Sequence, residues 1–173
     1  SKMFMKVVGC AMVASCASAQ VADFSGMASI TEGGQMFTFD VAAAPGSLGE
    51  GTLVISGLGD YSIVPPSSET MDWDVDGIAS GQGFDASAFA DPGNVDLFQN
   101  AVSQTFIISA ADMAAITADG SFTLTIQNGL AVGFFLDQPE DFIAYSLSYN
   151  AVPAPAALSV LGLGGLVATR RRR

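Results

Sequence analysis

The sequence contains no histidine, and its only two cysteines are Cys10 and Cys16. Between Val7 and Thr169 it also contains no lysine and no arginine. Each absence excludes a class of chemistry. Without histidine there is no Ser-His or Cys-His nucleophile pair and no histidine zinc site. Without a central lysine there is no P-loop for nucleotide phosphates. A chain that loses its first nineteen residues has no cysteine, hence no disulfide, so a packed core must hold the fold. All seventeen acidic residues lie between Asp23 and Asp141, while the six basic ones are Lys2, Lys6 and Arg170 to Arg173. The net charge is -11, and the central region alone carries seventeen carboxylates with no cationic side chain to pair them. Such a surface suits a salty exterior, where screening acts within about 10 Å. It repels nucleic acid and anionic lipid, so no nucleic-acid partner is expected.

The two ends read as sorting segments. Lys2 and Lys6 precede a short apolar run from Val7 to Ser15, and Ala17-Ser18-Ala19 places small residues, Ala17 and Ala19, where a signal peptidase reads them. This order predicts a signal peptide over residues 1–19, export through the Sec machinery, and Gln20 as the new N-terminus. A second export reading stays open, because Val13-Ala14-Ser15-Cys16 is similar to a lipobox whose cysteine is lipidated. At the other end, Pro153-Ala154-Pro155 precedes the uncharged run Ala156 to Thr169, then Arg170, Arg171, Arg172 and Arg173. As a helix that run spans roughly 21 Å against a bilayer core of roughly 30 Å, a thin transmembrane segment. Four terminal arginines would hold its end in the cytoplasm and leave the rest of the chain outside.

The stretch from Val152 to Arg173 resembles the PEP-CTERM sorting signal, which joins a Pro-Glu-Pro motif, a short Leu/Gly/Ala-rich helix and an arginine cluster. Ala154 stands where that family has Glu. The resemblance implies processing by an exosortase, a membrane-embedded transpeptidase of Gram-negative-type bacteria that make exopolysaccharide. Pro153, Ala154, Pro155 and Arg170 to Arg173 would be the residues read. It implies a chain anchored transiently in the membrane and then held at the cell surface or released, with exopolysaccharide as a candidate partner.

Residues 20–152 form one expected domain, which at this length buries roughly two-thirds of its unfolded surface. Strands are expected at Gln35–Val41, Thr52–Ser56, Phe106–Ser109, Ser121–Gln127 and Phe142–Tyr149, all rich in β-branched and aromatic residues. Phe122, Leu124 and Ile126 alternate with Ser121, Thr123, Thr125 and Gln127, the pattern of a half-buried strand. Gly33-Gly34, Pro45-Gly46, Asp76-Gly77, Asp119-Gly120 and Asn128-Gly129 punctuate the runs as turns. Ser109, with Asp112 three residues on, predicts a capped short helix over Ala110–Thr117. Asp85–Asn100 reads as a long loop around a short helix. The order of these segments across Gly51–Ser62, Glu69–Gly77 and Thr105–Ile126 is similar to jelly-roll sandwiches of exported bacterial proteins. The fold class is therefore all-β: an antiparallel jelly-roll-like sandwich with one short helix, flanked by the signal peptide and the sorting helix.

Asp72-Trp73-Asp74-Val75-Asp76-Gly77 matches the first half of an EF-hand calcium loop, but Gly83 stands where the twelfth-position Glu belongs. Asp72, Asp74 and Asp76 are thus candidate ligands of a weak Ca²⁺ site. The alternative is a strand with Met71, Trp73 and Val75 inward, Asp72 and Asp74 outward, and Asp76-Gly77 as its hairpin turn. No acidic residue stands in an evidently apolar setting that would raise its pKa. The expected function is non-enzymatic, without a required cofactor: an exported structural or adhesive protein of the cell surface or matrix. Two rivals remain. One is a calcium-supported carbohydrate-binding module, which needs exposed Trp73, Tyr61 or Tyr145. The other is a small glycoside hydrolase, which needs two carboxylates roughly 5 to 10 Å apart in a cleft.

Overall fold

The computed structural model describes residues 20–61, 69–89, 99–132 and 140–153. Among the described residues, eight strands form two antiparallel four-stranded sheets. They are β1 (Gln20–Ser29), β2 (Met36–Ala42), β3 (Ser47–Gly59), β4 (Met71–Val75), β5 (Ala79–Gly83), β6 (Asn100–Ile108), β7 (Ser121–Asn128) and β8 (Phe142–Ala151). One sheet has the order β1-β8-β3-β6, and the other has β2-β7-β4-β5. One short helix, α1 (Ala110–Ile116), joins β6 to β7. The described residues form an all-β sandwich.

Period-2 patterning explains the layers. On β7, Phe122, Leu124, Ile126 and Asn128 are buried and the residues between them face outward. On β8, Ile143, Tyr145, Leu147, Tyr149 and Ala151 do the same. On β3, Leu53 and Ile55 are fully buried, with Gly51, Gly57 and Gly59 completing the inner row. Three aromatic pairs bridge the sheets: Phe24 with Phe122 at 5.6 Å, Phe39 with Tyr145 at 4.8 Å, and Trp73 with Phe106 at 5.1 Å between ring centroids. Each such pair contributes about 1 kcal/mol beyond its area burial. Since the described residues include no cationic side chain, these contacts and the sheet hydrogen bonds hold the domain.

The helix is capped by Ser109, as expected, and ends at Ile116, one residue before the expected Thr117. Ser109 Oγ accepts from the Asp112 backbone N–H at 3.2 Å and donates to Asp112 Oδ2 at 2.7 Å. The acid meets the serine hydroxyl rather than the backbone N–H that a full capping box would use. Met113 and Ile116 form its buried stripe. Gly51 of β3 makes room for it, since a Cβ there would lie 2.6 Å from Met113 Sδ.

Several strands run longer than their apolar segments. β3 begins at Ser47 rather than Thr52, and β6 begins at Asn100 rather than Phe106. Two strands, β1 and β5, were not expected, because their sequences are built mainly of small and polar residues. In the described part of the Asp85–Asn100 stretch a 3₁₀ turn, Ala86–Ala88, is capped by the Asp85 carboxylate, and Phe89 bridges to Val102. Among the described residues no helix is long and apolar enough to cross a membrane. The expected signal peptide, and the sorting segment beyond Pro153, lie outside them.

Candidate functional site

β4 follows the strand alternative for the Asp72–Gly77 motif. Met71, Trp73 and Val75 are buried in the core while Asp72 faces out and Asp74 is half-exposed. The turn takes positive φ at both Asp76 (53°) and Gly77 (68°), with the Ile78 N–H donating to Val75 O at 2.9 Å. Asp-Gly suits this mirror-image turn because Gly bears no Cβ and Asp tolerates the left-handed region.

The three carboxylates point to different partners. Asp72 Oδ1 accepts from Gln82 Nε2 at 3.0 Å, on the neighbouring strand β5. Asp74 Oδ1 accepts from the Gly77 N–H at 2.7 Å and closes the turn. Asp76 Oδ1 accepts from the Thr123 N–H at 2.9 Å and ties the turn to β7. Among the described residues no three acidic side chains gather into a group that could hold a metal ion. Each of the three candidate ligands thus makes a separate hydrogen bond of its own. Beside it, a shallow groove of about 560 Å³ runs past Asp40, Asp76 and Asp119 toward the end of α1. Its acids too are engaged locally: Thr123 Oγ1 donates to Asp40, and the Ser121 N–H and hydroxyl donate to Asp119.

The three rings that sugar stacking would need are buried. Tyr61, Trp73 and Tyr145 are 0%, 6% and 6% exposed. Trp73 lies over Gly81 of β5, where a Cβ would approach its Nε1 to 2.8 Å. That Nε1 is buried without a hydrogen-bond partner.

A second acidic constellation was not legible in the sequence. Asp60, just after β3, and Asp141, just before β8, are 3% and 5% exposed. Burial, with the charges of Glu69 and Asp141, pushes the Asp60 carboxyl up to about 6, so the expectation of no raised carboxylate was wrong. Gln99 Nε2 donates to Asp141 Oδ1 at 2.9 Å, and Asn100 Nδ2 donates to Tyr61 O at 2.6 Å. The Tyr61 hydroxyl donates to Asn128 Oδ1 at 3.0 Å. Glu69 Oε2 and Asn128 Nδ2 are buried without partners. The signal that could have found this cluster is weak: Asp60 directly follows β3, the longest strand among the described residues, and Asp141 directly precedes β8, so both are drawn under the sandwich end. Asp60 and Asp141 are buried and do not present a pair of carboxylates to a sugar.

Among the sorting residues, Ala17, Ala19, Ala154, Pro155 and Arg170 to Arg173 lie outside the described residues. Pro153 lies within them and is half-buried. It follows Val152, whose N–H donates to Gly46 O at 2.8 Å as the last tie after β8.

No family model matches the chain, and no curated protein matches it. Among solved structures the chain is similar to dimeric latent PorU from Porphyromonas gingivalis, with a TM-score of 0.34 and 11% identity, over 78% of this chain and 14% of that one. The chain thus spans about a seventh of the length of that structure.

Proposed function

We propose that this chain is an exported bacterial protein of structural type, delivered to the cell surface or extracellular matrix by a signal peptide and a PEP-CTERM-like C-terminal signal. The observation that carries this reading is the C-terminal order of Pro153-Ala154-Pro155, an uncharged run and four arginines. The proposed fold is a jelly roll. Support comes from the pairing of strands 1, 8, 3 and 6 in one sheet and 2, 7, 4 and 5 in the other, the layout of two interlocked Greek keys. The proposed partners are the Sec machinery, signal peptidase and an exosortase, with exopolysaccharide as the surrounding matrix. No catalytic role is proposed.

The burial of Tyr61, Trp73 and Tyr145 speaks against sugar recognition by stacking. The dispersal of Asp72, Asp74 and Asp76 leaves calcium, in this reading, as a counter-ion of the acidic surface rather than a site ligand. The test is mass spectrometry of both ends of the mature protein from fractionated cells. The expected mature protein begins at Gln20 and lacks the arginine cluster, and changing Arg170 to Arg173 to Ala leaves it unprocessed. An intact tail on the wild-type mature protein would overturn the exosortase reading. A lipid-modified Cys16 as first residue would replace the signal-peptidase step.

A further inference from the structure

The outer face of the β1-β8-β3-β6 sheet differs in charge from the rest of the domain. The pairings align its outward residues in four rows: Asp23, Ser148, Thr52 and Ile107; Ser25, Ser146, Val54 and Thr105; Met27, Ala144, Ser56 and Ser103; Ser29, Phe142, Leu58 and Ala101. Of these sixteen positions eight carry hydroxyls, seven are apolar and only Asp23, on the edge strand, is charged; Glu50 adds one exposed carboxylate at the end of β3, beyond the first row. Met27 and Ile107 are 70% and 62% exposed. The opposite sheet, by contrast, turns Asp40, Asp72 and Asp74 outward, with Asp76 in the adjoining turn. No described element covers this sparsely charged face, since α1 packs on the inner side of β3 through Gly51 and Met113.

We infer that this face is a self-association surface and that its occupant is the same face of a second copy of the chain. Charge decides which surfaces can meet. The described domain bears only carboxylates as charged side chains, so two such domains repel each other wherever acidic surfaces approach, and over its four aligned rows this sheet brings together only Asp23. A cationic partner would be drawn to the opposite, acidic sheet instead. A lipid surface is a poor match for a face half made of hydroxyls. A sugar would need the aromatic rings, and all but Phe142 among those on this sheet's strands point inward. A flat row of serines, threonines and small apolar residues is instead suited to another flat sheet packed about 10 Å away. The area is sufficient for a weak complex. Four strands about 4.8 Å apart, over seven residues at about 3.4 Å, give about 500 Å² per copy, or about 1,000 Å² in the pair, near the lower limit for a specific interface.

This inference goes beyond the export reading and does not depend on it. The test is sedimentation velocity of the full chain over a range of concentrations, at low and moderate sodium chloride, so that the terminal segments are common to every variant. A reversible dimer is expected, and it should tighten as salt rises, the opposite of an association driven by opposite charges. Ser146→Glu and Ile107→Glu are each expected to weaken dimerisation at least tenfold, because each buries an unpaired like charge, while Thr38→Glu on the opposite sheet leaves it unchanged. Circular dichroism confirms that each variant is folded, and Ser103→Glu replaces any that is not. A monomer at all concentrations would overturn the inference. So would a dimer that survives both face substitutions, or one lost equally in Thr38→Glu.

Discussion

At the scale of single residues, the least expected feature is an acid that cannot find a base. Asp60 lies under the end of the sandwich near Glu69 and Asp141, and the domain has no lysine, arginine or histidine to neutralise them. A buried carboxylate without a cation keeps its proton to higher pH. The carboxyl of Asp60 rises from 3.8 to about 6, chiefly through burial and then through its two acidic neighbours. The folded state therefore binds a proton more tightly than the unfolded chain. The stability Asp60 contributes is complete below pH about 4 and is lost as pH climbs through about 6. Urea unfolding at pH 5 and pH 7.5 should show this loss, and Asp60→Asn, which cannot ionise, should reduce the difference between the two. An undiminished difference in Asp60→Asn would assign the pH response to other carboxylates. The identity of these residues was plain from the chain, but their meeting was not. Asp60 and Asp141 are 81 positions apart and are brought together only because β3 and β8 pair antiparallel, Leu58 opposite Phe142.

At the scale of elements, legibility followed the side chains. β7 was readable because Phe122, Leu124 and Ile126 alternate cleanly with hydroxyl and amide residues. β4 was readable as an alternative because three apolar residues bracket two aspartates. β5 was not, since Ala79, Gly81 and Gly83 form its inner row and carry no β-forming side chain; Trp73 and Met71 of β4 fill the space above the two glycines. β1 was missed for a similar reason: it is held by ten register positions against β8, not by its own propensity. The helix was legible from its cap, and there the chemistry is local. Ser109→Ala removes the acceptor for the Asp112 N–H and the donor to its carboxylate. It should cost about 1 kcal/mol, measurable as a lower urea midpoint with unchanged slope. Ser109→Asp, which restores an acceptor but sets a like charge beside Asp112, should recover only part of it. Full recovery would mean that repulsion between the two acids is negligible there. Gly51→Ala gives a complementary test from the strand side, because its new methyl meets Met113 in the core. Its cost should be of order 1–3 kcal/mol, as for overpacking elsewhere.

At the scale of the whole molecule, net charge exerts a repulsion that no single contact reports. Seventeen carboxylates and no cationic side chain occupy the region from Val7 to Thr169, so its compaction brings like charges together with no opposite charge within that region to offset them. Sodium chloride should therefore raise the melting temperature of dilute protein, with most of the gain reached by tenths of molar, where the Debye length has fallen below about 10 Å. The structure adds a sharper expectation about divalent ions. Asp72, Asp74 and Asp76 each accept a different intramolecular donor, and no three acids gather among the described residues. A calcium ion would have to break the turn bond from Gly77 and the tie to Thr123 before it could collect these oxygens. Calcium and magnesium at equal ionic strength should then give the same melting curve, and Asp74→Ala should shift both equally. A rise specific to calcium that vanishes in Asp74→Ala would show that the hairpin rearranges around the ion. Since screening also favours contact between two copies, the measurement belongs at low protein concentration, where any dimer has dissociated and the salt dependence reports folding alone.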